Sequence, residues 1–250
     1  MRGDLLEITA IIPARYDSTR FPGKPLANIA GEPMIKHVYQ RVEDVKNLDK
    51  VIVATDDKRI YDTVESFGGR VEMTSKEHSS GTDRIAEVAS SLESDLIINV
   101  QGDEPLIEPA MIEQAVDPFY CDDGLVMSTL KKKIESKSEV SDPNVVKVVT
   151  DREGYALYFS RSTIPYNQKQ ANDYYKHIGL YVYSKDFLLQ FSNMKPTSLE
   201  KTESLEQLRA LQNGYKIKVV ETNFNTIGVD RPDDIERVEE IISTGNRIKK

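Results

Sequence analysis

The sequence predicts an α/β fold, a mostly parallel Rossmann-like sheet flanked by helices with an inserted antiparallel lobe. Three observations carry this. Short apolar runs rich in β-branched residues alternate with segments of helical period, as in a sheet covered by helices. After Leu125 the pattern changes to strands joined by a hairpin-like connection at Asp151-Arg152-Glu153-Gly154. No internal repeat or low-complexity linker divides the 250 residues, so residues 1–250 read as one domain with a β-rich lobe at about residues 125–185.

The elements follow in order. Strands are predicted at residues 8–12, Lys50–Thr55, 70–73 and 95–100. Between them, Met34, Ile35, Val38, Val42 and Val45 form one apolar helical face, and Ile60, Val64 and Phe67 form another that ends at Gly68-Gly69. A third helix begins near Ser80-Gly81-Thr82, with Ser80 or Thr82 as N-cap and Ile85, Val88, Ala89 and Leu92 facing the sheet. The lobe contributes strands at residues 145–150, Ala156–Ser160 and 176–183. A helix is predicted over residues 199–213, a strand over 216–220, and a final helix starting near Pro232.

Composition narrows the function classes. The only cysteine is Cys121, which excludes a disulfide framework and a thiolate metal cluster and suits the reducing cytoplasm. The first residues lack the tripartite pattern of a secretory signal, and no apolar run approaches the roughly 20 residues of a membrane span. A soluble cytoplasmic protein without membrane insertion is therefore expected. The net charge of -8 argues against nucleic acid as a partner, which needs a basic face. Any polyanion must be bound locally.

Ligands of open α/β sheets collect at the carboxyl ends of strands, and the segment after the first strand is rich in suitable groups. Arg15, Arg20 and Lys24 are interleaved with Ser18, Thr19 and Gly23, combining fixed positive charge, hydroxyls and permissive backbone for a chain of phosphates. Pro13, Pro22 and Pro25 restrict the loop. Neither GxxxxGK[ST] nor GxGxxG is present, which argues against the two common nucleotide loops. A second feature is Gln101-Gly102-Asp103-Glu104-Pro105, which follows the fourth strand, and a third is Gly228-Val229-Asp230-Arg231-Pro232 before the last helix. Carboxylates from two distant segments, Asp103 and Asp230, suit Mg²⁺, which takes few protein ligands and fills its octahedron with water and phosphate oxygens. Taken alone, Asp103 also fits a turn and Asp230 a helix cap. Glu104 and Asp56 are weaker candidates, reading as structural residues or as outer support for the ligands.

Residues 11–26, IIPARYDSTRFPGKPL, resemble the opening of the 3-deoxy-manno-octulosonate cytidylyltransferases, and the resemblance extends through EGYALYFSR and LEQLRAL to about Glu236. It implies a nucleotidyltransferase that moves CMP from CTP to the anomeric hydroxyl of a 2-keto-3-deoxy sugar acid, releasing pyrophosphate, in lipopolysaccharide precursor synthesis. The implied catalytic set is Arg15, Lys24, Asp103 and Asp230, with Asp103 and Asp230 as Mg²⁺ ligands and no general base. Nucleotide contacts are implied for Arg15, Ser18, Arg20, Lys24, Ser80, Gly81, Thr82 and Arg84. Sugar contacts are implied for Gln101, Arg161, His177, Tyr181, Glu206 and Gln207, and a homodimer through the inserted lobe. On strand period alone, His177, Gly179 and Tyr181 share a face. An 8-amino analogue of the sugar, a sialic acid or a sugar 1-phosphate are the alternative acceptors. A glycosyltransferase or a nucleotide-sensing protein without catalysis are the alternative functions.

Overall fold

The first apolar run becomes a strand buried on both faces. In the computed structural model, which describes residues 6–17, 21–169 and 173–244, the chain forms two compact units. Of the described residues, those up to Glu113 and those from Phe224 onward make one unit, and Gln114–Asn223 contribute the other.

The first unit begins with β1 (Ile8–Ala14), a small hairpin of β2 (Asn28–Ile29) and β3 (Glu32–Pro33), and α1 (Met34–Glu43). It continues through β4 (Lys50–Thr55), α2 (Lys58–Ser66), β5 (Val71–Met73), α3 (Gly81–Ser90) and β6 (Leu96–Asn99), and α4 (Pro109–Val116) spans the boundary. Strands β6, β1, β4 and β5 lie side by side and run parallel. Because β1 is flanked by β6 and β4 and covered on both faces, its apolar residues run without alternation. Thr9, its buried polar member, is satisfied by Ser94 Oγ at 2.6 Å. Ser80 is the α3 cap, its Oγ accepting from the Asp83 amide at 3.0 Å.

The second unit contains β7 (Met127–Lys133), α5 (Lys137–Ser141), β8 (Lys147–Thr150), β9 (Ala156–Ser160) and β10 (Tyr175–Ser184), followed by α6 (Lys185–Ser192), α7 (Ser198–Glu203), α8 (Leu208–Gln212) and β11 (Lys218–Glu221). Helix α9 (Asp233–Thr244) returns to the first unit, where Val238 packs with Ile29, Met34, Leu106 and Val229. In the second unit β7 pairs antiparallel with β10 and parallel with β11, and β8 pairs antiparallel with β9. The β8–β9 connection is the expected hairpin: Asp151 Oδ1 accepts from the amides of Glu153 and Tyr155, and Gly154 takes a φ of +83°. The fold class is the predicted one, a mixed sheet with mostly parallel strands flanked by helices.

Two readings of the sequence change. The helix predicted over residues 199–213 is two short helices, α7 and α8, broken at Ser204, whose φ is +53°. On one continuous helix, positions 200 and 209 would face nearly opposite directions. The break brings Glu200 and Arg209 together as a buried ion pair, with Arg209 Nε donating to Glu200 Oε2 at 2.9 Å. Strand β7 was not anticipated because its sequence ends Leu-Lys-Lys-Lys, which does not look like a sheet interior. Lys132 is nevertheless buried, its Nζ donating to the Asn223 carbonyl oxygen.

Candidate active site

The carboxyl end of β1 gathers three segments that are distant in sequence. A Cβ on Gly81 would lie 3.5 Å from Pro13 Cγ, and one on Gly102 would lie 2.9 Å from the Pro13 carbonyl oxygen. The second distance is closer than any real side chain tolerates. Gly102 is therefore what allows the Gln101–Glu104 turn to sit directly on the end of β1. The Asp230 segment is joined to that turn by the Val229 amide, which donates to the Asp103 carbonyl oxygen at 2.9 Å. Asp234 holds the start of α9, its Oδ2 accepting from the amides of Asp230 and Arg231, each at 2.8 Å.

The basic loop is closed at its base and pinned at its side. The Gly23 amide donates to the Tyr16 carbonyl oxygen at 2.8 Å, and Gly23 is left-handed with φ +72°. A Cβ there would meet the Tyr16 ring at 3.1 Å. On the ring's other partner side, the Arg59 guanidinium lies 3.2 Å from the Tyr16 centroid while forking onto Asp57, the N-cap of α2. Sequence reasoning read Gly23 as permissive loop backbone but missed Tyr16 and Arg59 as loop-positioning residues, since no local pattern joins position 16 to position 59. Arg15 is exposed; Ser18 and Arg20 lie outside the described residues.

Lys24 emerges from this loop and places its ammonium between the two candidate metal ligands. Its Nζ is 2.6 Å from Asp103 Oδ2 and 3.7 Å from Asp230 Oδ1. The exposures rise outward, from 15 % for Lys24 through 32 % for Asp103 to 56 % for Asp230. The pair is therefore open on the Asp230 side. Behind them Glu104 is pushed up to about 8 by burial, with the charges of Asp103 and Asp230 adding to the effect and Lys24 opposing it. Its Oε2 is buried without a hydrogen-bond partner.

This donor set fits a divalent cation. Two carboxylates already converge on one positive charge, and a buried acceptor behind them is unused. Among the described residues, no three His, Cys, Asp or Glu side chains form a metal site by themselves.

The remaining nucleotide candidates divide by burial. Gly81 opens α3 against Pro13, and the Ser80 hydroxyl is used in capping. Thr82 is buried, and Arg84 is fully enclosed, with Nη2 donating to Asp56 Oδ2 at 2.8 Å and Nη1 to Thr74 Oγ1. Arg84 thus braces the floor beneath the α3 N-terminus. Asp56, read as structural from sequence, is its counter-charge. Gln101 donates through Nε2 to Asn99 Oδ1 at 3.0 Å.

In the second unit, the structure brings His177, Tyr181 and Glu206 together. Strand β10 carries two extra residues between Ile178 and Tyr181 relative to β7. An insertion of two preserves the alternation that one would reverse, and the His177 and Tyr181 rings stand 5.3 Å apart. Burial pushes the His177 ring down to about 3, so it is neutral at physiological pH. The Thr129 hydroxyl lies 2.8 Å from the Leu180 carbonyl oxygen and 2.9 Å from His177 Nε2. With that hydroxyl donating to the carbonyl, Nε2–H donates to Thr129 and Nδ1 is left as the ring's acceptor. Burial, and then the charge of Glu206, raise the Tyr181 phenol, which stays a neutral donor.

Arg161 is anchored rather than free-standing. Its Nε, Nη1 and Nη2 donate to the carbonyl oxygens of Glu203, Pro143 and Ser204. A guanidinium has more N–H groups than these bonds use. Gln207 is buried beside Glu206, and its Nε2 has no partner.

With this geometry in view, comparison with known proteins is decisive. The sequence model of a family described as Cytidylyltransferase matches residues 9–217. The 3-deoxy-manno-octulosonate cytidylyltransferase of Geotalea uraniireducens is 58 % identical over 94 % of this chain and 98 % of its own length. That of Geobacter metallireducens is 57 % identical over 95 % and 98 %. The chain belongs to the 3-deoxy-manno-octulosonate cytidylyltransferase family. A solved CMP:2-keto-3-deoxy-manno-octonic acid synthetase complexed with CTP superposes with a TM-score of 0.92 at 43 % identity, covering 96 % of this chain and all of that one. The 4-diphosphocytidyl-2C-methyl-D-erythritol synthase of Anaerococcus prevotii, at 17 % identity and a TM-score of 0.63, shares the fold. As a cytidylyltransferase, the chain is a nucleotidyltransferase.

Proposed function

We propose that this protein transfers CMP from CTP to the anomeric hydroxyl of 3-deoxy-manno-octulosonate. One observation carries the reading: Lys24, from the basic loop, already bridges Asp103 and Asp230 at the carboxyl end of β1. The hydroxyl gives up its proton to solvent as its oxygen bonds to the α-phosphorus, the bond from that phosphorus to the β-phosphate bridging oxygen breaks, and pyrophosphate leaves. Mg²⁺ held by Asp103 and Asp230 would neutralise phosphate charge and lower the pKa of the attacking hydroxyl. Arg15 and Lys24, with Ser18 and Arg20, bind the triphosphate, and Lys24 exchanges its carboxylate partners for phosphate oxygens as the nucleotide enters. Gly81 allows close backbone approach of the nucleotide at the α3 N-terminus, where Ser80 and Thr82 lie, and Arg84 supports it from below. Gln101, Arg161, His177, Tyr181, Glu206 and Gln207 bind the sugar acid, with neutral His177 and Tyr181 offering one acceptor and one donor to its hydroxyls.

Incubating the protein with each nucleoside triphosphate and with Kdo, its 8-amino analogue or a sialic acid tests this reading. Mg²⁺-dependent pyrophosphate release with CTP and Kdo is the expected result. Preference for the analogue would redirect the acceptor assignment, and no release with any pair would overturn the reaction. The same reading places the enzyme in the cytoplasm, supplying lipopolysaccharide precursor as a homodimer. Among the described residues, no helix is long and apolar enough to cross a membrane.

Lys24→Met separates its two partners. The KM for CTP rises by roughly 10- to 100-fold, the effect of losing a hydrogen bond to a charged group worth about 1.5–3 kcal/mol. Mn²⁺ binding without nucleotide, followed by electron paramagnetic resonance, becomes tighter because the competing ammonium is gone. An unchanged KM would return Lys24 to a purely structural ion pair.

A further inference from the structure

Glu104 has no part in the chemistry above, yet its setting is costly. The side chain turns inward from the same turn that presents Asp103. Its Oε1 lies against Gly228, 3.6 Å from where a Cβ there would sit. Its Oε2 is buried with no hydrogen-bond partner among the described residues. Leaving a carboxyl oxygen unpaired in the interior is destabilising. A glutamate that only filled space would gain stability by becoming apolar. The position is explained if the missing partner arrives with a ligand.

We propose that Glu104 is a positioning residue for the metal: its unpartnered Oε2 accepts a hydrogen bond from the hydration water of the ion held by Asp103 and Asp230. This rests on the metal reading of those two residues. The chemistry agrees, because Mg²⁺ keeps several of its waters when bound by few carboxylates. Outer acceptors for such waters orient the ion and commonly contribute 10- to 100-fold to metal affinity. Gly102 fixes the turn on Pro13, and the Val229 amide bond fixes Asp230 against it. Glu104 therefore sits on a rigid platform shared by both ligands.

Mn²⁺ binding measured by electron paramagnetic resonance in the presence of CTP, without sugar acid, tests this independently of turnover. Glu104→Met is expected to weaken Mn²⁺ by about 10- to 100-fold, with metal-free CTP affinity unchanged and Tm equal to or above that of the wild type. Glu104→Gln keeps an acceptor oxygen in a side chain of the same length, so it falls between the two, and it remains informative should Glu104→Met fold poorly. Wild-type Mn²⁺ affinity in either folded variant overturns the proposal, as does a lowered Tm with unchanged metal binding, which would mark Glu104 as structural. Asp103→Asn serves as the control. Retained Mn²⁺ binding in that variant would overturn the metal reading itself, and this inference with it.

Discussion

Asp103→Asn lowers kcat by roughly 10³-fold, the scale of several kcal/mol of lost charge stabilisation in the transition state, and leaves the far-UV circular dichroism spectrum unchanged. The fold survives because Asp103 contributes its backbone to the structure and its carboxylate to the site. The bond that ties the α9 segment to the turn uses the Asp103 carbonyl oxygen, which the substitution keeps. The side chain is partly exposed, and its partner there is Lys24. An amide can neither hold a divalent ion as a carboxylate does nor balance the Lys24 ammonium. Steady-state pyrophosphate release over a range of Mg²⁺ concentrations checks this. Activity within tenfold of the wild type at saturating Mg²⁺ would remove Asp103 as a metal ligand.

Arg209→Met should give the largest loss of stability, about 3–5 kcal/mol, because it leaves the Glu200 carboxylate buried without its counter-charge. Glu200 retains only the Thr197 amide, at 3.0 Å, from the bonds that now satisfy it. Arg209 also lies 4.9 Å from the centroid of the Phe191 ring and 3.5 Å from Glu206. Its loss therefore loosens α6, α7 and the turn that carries Glu206 and Gln207. Urea unfolding followed by circular dichroism reads the stability, and the KM for the sugar acid rises along with it. The double variant Arg209→Met, Glu200→Met removes both charges and should recover most of the stability, since a buried pair replaced by apolar residues is often neutral. A loss under 1 kcal/mol in the single variant would show that water reaches Glu200.

The sequence by itself determined the parallel strands, their helices and the basic loop, because these are written in local periods. The run Ile8 to Ile12 has no polar alternation, and Ser80 stands at the start of a helical period, so burial and capping follow from neighbours a few residues apart. The resemblance of residues 11–26, and of the segments around Arg161 and Glu206, supplied the family. Contacts between distant positions were left to tertiary structure. Nothing near Ser204 announces a left-handed break, since its cause is the pairing of Glu200 with Arg209. Nor does anything near Glu104 show that its Oε2 would be enclosed without a partner. The polar faces of Asp103 and Asp230 read equally well as a turn and a cap. Only the close approach of Gly102 to Pro13 and the Val229 amide bond place them around one ammonium. Local periodicity fixes which face of an element is buried; which charges meet is set by tertiary packing, as where Lys24 meets both Asp103 and Asp230.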